Sequence, residues 1–171
     1  MKGKAVVLAA ALLLTALTAT AQTGTWTAVG STGAIDPTQV ALAGVIGGTR
    51  LGFNPAGGSN SGTIVTRFNV TNTYGGGSDD TPSWTTLQLG ALNTPFPDVV
   101  SATLYRVSPC SGARVAICTA TNSGAGSAGS CVTCTFSSTT FNFASFLYYV
   151  EVQITRAVGT GNPQLSTLRI F

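Results

Sequence analysis

The sequence predicts an antiparallel β-sandwich of the jelly-roll or immunoglobulin-like Greek-key kind, and three observations lead there. Beyond its first residues, apolar and polar side chains alternate with a period of two. No later stretch of about 12 residues carries helical periodicity. Clusters of Gly, Pro, Asn and Ser cut the chain into short segments, which sets an expectation of about 8–10 strands.

The first segment, residues 25–29, is Thr25-Trp26-Thr27-Ala28-Val29, a short strand without charge. Residues 40–46 are apolar and read equally as a buried strand or a short helix after Asp36-Pro37. Gly47-Gly48 follow as a turn, then residues 49–53 as a strand. Residues 64–70 alternate clearly, with Ile64, Phe68 and Val70 on one face and Arg67 and Asn69 on the other. Residues 84–89 put Leu87 and Leu89 inward, and by the same reading Trp84 outward. Residues 99–107 form a long strand, which turns at Ser111-Gly112 and returns through residues 114–120. Residues 131–136 and 140–143 read as shorter strands. The strongest is residues 147–154, with Tyr148, Val150, Val152 and Ile154 inward and Tyr149, Glu151 and Gln153 outward. Residues 164–171 close the chain. The polar loops 57–62, 75–82 and 122–130 are each short enough to be hairpin tips.

The N-terminus does not share this pattern. Lys2 and Lys4 precede an apolar run of about 13 residues, and Ala19-Thr20-Ala21 fits a signal-peptidase site. A spanning helix needs roughly 20 apolar residues. Residues 1–21 are therefore expected to be a cleaved signal peptide, and residues 22–171 a single β-sandwich domain with no membrane span. The compartment expected is secreted, periplasmic or cell-surface.

Charge is scarce: 8% of residues are Asp, Glu, Lys or Arg, where about 25% is usual. Both lysines lie in the leader, and six arginines against five acids leave +1 for residues 22–171. A chain with no basic stripe is not expected to bind nucleic acid. A nearly neutral surface repels its own copies weakly, so self-association is expected to be permitted.

Cys110, Cys118, Cys131 and Cys134 make an even count in an exported chain and are expected to form two disulfides. If loop 122–130 is a hairpin tip, the nested pairing Cys118–Cys131 with Cys110–Cys134 is favoured. The alternative is Cys110–Cys118 with Cys131–Cys134. The C-x-x-C spacing of Cys131 and Cys134 sits in strand sequence, not at the helix start a redox pair uses. A four-thiolate zinc site would want two close pairs, which Cys110 and Cys118 do not supply.

Catalytic chemistry is thin. The chain has no His, which removes Ser-His-Asp and Cys-His arrangements. A glycosidase would need two facing carboxyl groups, and the one pair worth weighing is Glu151 with Asp98. Asp79-Asp80 reads as a solvated acidic turn, too small alone to hold a cation. Asn69-Val70-Thr71 is a formal glycosylation triplet. No catalytic residue, metal or cofactor is expected. The predicted function is structural or adhesive outside the cytoplasm, with self-association by strand addition at residues 25–29. The alternative is a module binding a surface glycan or other ligand through exposed aromatics, with Trp84 and Tyr149 as the candidate contacts.

Overall fold

The computed structural model describes residues 24–57, 60–72, 81–92, 94–124, 128–158 and 160–171. The expected signal peptide lies outside them, as do Tyr74, Asp79 and Asp80.

Two antiparallel sheets pack face to face. One holds β3 (Ala43–Ile46), β4 (Arg50–Phe53), β11 (Gln164–Ile170), β6 (Thr86–Leu92) and β9 (Ser130–Thr135), in that order. A sixth strand, β1 (Trp26–Val29), joins β11 on the edge that β4 leaves open, pairing Trp26 with Ile170 and Val29 with Thr167. The other sheet has the order β2 (Ala34–Ile35), β5 (Gly62–Val70), β10 (Leu147–Arg156), β7 (Val99–Val107) and β8 (Arg114–Ser123).

The period-two pattern carries directly into the core. Ile64, Phe68, Val100, Leu104, Val150 and Ile154 of the five-stranded sheet are buried, and Leu51, Leu87, Leu89, Leu165, Leu168 and Ile170 of the other join the same core. Each such side chain contributes about 1.5–3 kcal/mol by leaving water. Gly30, between β1 and β2, is buried where a Cβ would run into the backbone of Leu165 and Leu51.

Several expectations need correction. The described strands number eleven, because Ala34–Ile35 forms a short edge strand that its two residues did not reveal. In residues 40–46 only Ala43–Ile46 are strand. The turn before them starts at Asp36, whose carboxylate accepts from the Thr38 amide and hydroxyl. Residues 140–143 are irregular backbone leading into a turn, not strand. Their backbone bonds the Tyr148 hydroxyl, which accepts from the Asn142 N–H at 2.8 Å and donates to the Thr140 carbonyl at 2.9 Å. Loops 57–62, 75–82 and 122–130 are not hairpin tips. Each joins a strand of one sheet to a strand of the other: β4 to β5, β5 to β6 and β8 to β9.

That last difference decides the cysteines. The structure bridges Cys118 to Cys134, with Cα atoms 5.9 Å apart, and leaves Cys110 and Cys131 free and exposed. Neither expected pairing forms. β8 and β9 are the edge strands of opposite sheets, so the bridge closes one flank of the sandwich. A bulge aims Cys118 inward. Leu104 faces Cys118 and Tyr105 faces Ala116, so Ile117 is the extra residue and the alternation of β8 changes phase across it. Cys131 sits three residues from Cys134 on β9, on the opposite face of that strand.

Candidate functional site: the outer face of the five-stranded sheet

Strand register assembles a polar and aromatic patch on the solvent side of the five-stranded sheet. One row across the strands is Asn69, Tyr149, Tyr105 and Ala116; the next is Arg67, Glu151, Thr103 and Thr119. Tyr105 and Tyr149 are direct neighbours, and their rings stack with centroids 5.1 Å apart and planes 17° from parallel. The β7–β8 hairpin brings Arg114 over them. Its turn is closed by Gly112 N–H to Ser108 O and Ser108 N–H to Ala113 O. Gly112 adopts φ +66°, a left-handed conformation that glycine reaches without a Cβ penalty.

Arg114 donates from Nη1 to the Tyr149 hydroxyl at 3.3 Å, and its guanidinium carbon lies 5.2 Å from the Tyr105 ring centre. The Tyr149 hydroxyl, and after it the charges around it including Glu151, holds Arg114 above its ordinary arginine pKa, so it stays cationic. Arg67 donates from Nε to Glu151 Oε2 at 2.9 Å, and Arg114 Nη1 approaches the same oxygen at 3.8 Å. Gln153 Nε2 makes a long contact of 3.5 Å to Glu151 Oε1. Glu151 points to this outer face as expected, yet its side chain is only 8% exposed because the two arginines cover it. Asp36 lies 3.9 Å from Arg67. The Thr38 hydroxyl and amide, more than Arg67, lower its carboxyl below the usual range.

The two aromatic candidates separate sharply. Tyr149 stands in this patch. Trp84 does not: it is 3% exposed, packs edge-on against Phe141 at 5.1 Å and donates from Nε1 to the Gly24 carbonyl at 2.6 Å. It precedes β6 (Thr86–Leu92), so the alternation of that strand does not govern where it points. Tyr105, Arg114 and Arg67 are the patch residues that sequence reasoning did not join to Tyr149. Alternation in residues 99–107 places Tyr105 outward, but only strand order makes it a neighbour of Tyr149.

Glu151 and Asp98 are not brought together. Glu151 faces Thr103, whereas Asp98 lies five residues back along the chain, roughly 16 Å at strand rise. Asp98 is fully buried, and its Oδ1 accepts from the Ala157 N–H at 2.9 Å and the Thr160 hydroxyl at 2.6 Å. Among the described residues no group of three or more His, Cys, Asp or Glu side chains is placed to hold a metal ion. No helix there is long and apolar enough to cross a membrane.

The molecule is thus a disulfide-linked, two-sheet antiparallel β-sandwich with an open polar-aromatic platform on one face. No protein-family model matches the chain, and no curated protein matches it. Among solved structures, it resembles an isomalto-dextranase of Arthrobacter globiformis T6 complexed with panose, at 14% identity and TM-score 0.46, over 86% of this chain and 23% of the enzyme. It also resembles a family 11 carbohydrate-binding module from Clostridium thermocellum in complex with a β-1,3-1,4-mixed-linked tetrasaccharide, at 9% identity and TM-score 0.43, over 86% of this chain and 87% of the module. A family 30 carbohydrate-binding module of a cellulosomal cellulase from the same organism matches at 13% identity and TM-score 0.41, over 86% of this chain and 90% of that one. The chain spans about a quarter of the isomalto-dextranase. The likeness is one of β architecture and assigns neither site nor ligand.

Proposed function

We propose that this protein is an exported, non-catalytic binding module whose ligand is a glycan lying on the outer face of the five-stranded sheet. The observation that carries the reading is the Tyr105–Tyr149 stack flanked by Arg114, Arg67 and Glu151. Sugars are recognised where apolar ring surface sits beside fixed hydrogen-bonding groups, and this patch supplies both on a rigid sheet. The Cys118–Cys134 bridge fits an oxidising compartment. Binding to a broad glycan panel, lost on Tyr149→Ala in a protein that keeps its far-UV spectrum, is the expected result. A folded protein that binds nothing across the panel refutes the reading.

Self-association is the second reading, and β1 favours it. Among the described residues β1 pairs with β11 along one edge only, and its four residues, Trp26–Val29, carry no charge. Strand addition by a second copy would use that edge. Light scattering across a concentration series tests it: larger species that Thr27→Lys disperses support it, and a strict monomer at high concentration removes it.

A further inference from the structure

We infer that the glycan recognised by this face is acidic, carrying a carboxylate or a sulfate that accepts from the free guanidinium N–H groups of Arg67 and Arg114. The inference rests on the glycan-binding reading above and names the ligand's chemistry.

The donors and acceptors of the patch do not balance. Each guanidinium offers five N–H donors and no acceptor. Arg67 spends Nε on Glu151, and its Nη1 is 3.9 Å from Asp36, beyond hydrogen-bond distance. Arg114 spends Nη1 on the Tyr149 hydroxyl. The remaining guanidinium N–H groups meet no hydrogen-bond acceptor among the described residues, and both side chains are substantially exposed, at 44% and 57%.

The carboxylate acceptors, by contrast, are mostly occupied or covered. Glu151 Oε2 takes Arg67 and lies near Arg114, Oε1 faces Gln153, and little of the carboxylate reaches solvent. Asp36 Oδ1 is filled by Thr38, and Oδ2 is the one carboxylate oxygen of the cluster left without a hydrogen bond, 3.9 Å from Arg67 Nη1. The Thr103 and Thr119 hydroxyls bond each other at 2.9 Å. What the face presents outward is therefore a surplus of planar donors beside two aromatic rings. A ligand rich in acceptors answers it, and a carboxylate or sulfate matches the guanidinium fork in a way that a hydroxyl does not.

Arg67 Nε and Arg114 Nη1 both approach the same oxygen of Glu151, so that carboxylate already holds the point where they converge and a ligand anion would use the guanidinium N–H groups that Glu151 leaves free. The sugar ring that carries the anion would then rest beside Tyr149. Formal charges in the cluster cancel, two arginines against Glu151 and Asp36. The selection is therefore made by directional bonds at contact, not by a long-range field.

Isothermal titration of the purified protein with three probes tests this: oligogalacturonate for carboxylate, carrageenan oligosaccharide for sulfate, and cello-oligosaccharide as the neutral control. We expect one acidic probe to bind at least about tenfold tighter than the neutral one, and which acid binds identifies the anion. Arg114→Gln should cut acidic affinity roughly tenfold, the loss of one charge-assisted pair. Arg114→Lys should recover only part, because an ammonium lacks the fork. Arg114 is exposed, so both variants are expected to fold, and circular dichroism checks this. Neutral and acidic probes binding equally, with the ratio unmoved by Arg114→Gln, overturns the inference; the glycan reading survives that result if Tyr149→Ala abolishes binding. Acidic binding indifferent to both Arg114→Gln and Tyr149→Ala also overturns it. A folded protein that binds none of the three probes overturns this inference, and silence across the broad glycan panel as well overturns the glycan reading.

Discussion

At the scale of single residues, two aromatics that alternation reads alike as outward have opposite fates. Trp84 anchors the core end near residues 140–143, while Tyr149 stands on the sheet face. Trp84→Phe keeps most of the apolar bulk and removes the Nε1 bond to Gly24. It should cost about 1 kcal/mol in denaturant unfolding, mainly that hydrogen bond, and leave the outer face of the five-stranded sheet unchanged. Tyr148 gives a pH prediction. Burial, opposed in part by its bond with Asn142, raises its phenol above the usual tyrosine value of about 10. The folded state thus holds this proton more tightly than the unfolded one. The stabilisation is complete below about pH 10 and fades as pH rises through the higher folded value. Tyr148→Phe should lose that alkaline dependence. It should also lower stability by about 1 kcal/mol at neutral pH by orphaning the Asn142 and Thr140 backbone groups, as read by thermal melts at several pH values. Alternation alone marked Tyr148 as core and Tyr149 as outward. It failed for Trp84, which lies just before a strand, where period two has no hold.

At the scale of elements, the disulfide and the bulge work together. Ile117 as the extra residue turns Cys118 toward the other sheet and leaves Arg114 and Ala116 on the outer face beside Tyr105. One irregularity thereby serves both the staple and the patch. Cys118 and Cys134 are 16 residues apart. Closing a loop of that size in the unfolded chain stabilises the fold by about 3 kcal/mol. Cys118→Ala with Cys134→Ala should lower stability by that order, and peptide mapping of the native protein should find the Cys118–Cys134 bridge with thiols at Cys110 and Cys131. The nested pairing expected from sequence required a hairpin across residues 122–130. Spacing and composition describe a hairpin tip and an arch between sheets alike, because both ask only for small, polar, turn-forming residues.

At the scale of the whole molecule, the chain's last strand is its most connected. β11 pairs with β6 along one edge and with both β4 and β1 along the other. The six-stranded sheet therefore cannot close until residues 164–170 are present. A chain truncated after Pro163 should fail to fold cooperatively, losing both its near-UV signal and its melting transition, whereas removing Phe171 alone should leave both in place. Pairings between distant segments such as β1 with β11 and β5 with β10 also imply refolding in milliseconds to seconds, not microseconds. By itself the sequence determined the class of fold, most of the strands and which side of most strands is apolar. Those follow from local periodicity and turn chemistry, which each segment carries alone. Only the tertiary structure decided which strands are neighbours, and so which cysteines meet, that Tyr105 and Arg114 join Tyr149, and that Glu151 and Asp98 stay apart. Strand order is set by burying all the apolar faces at once, a condition on the whole chain that no single segment records.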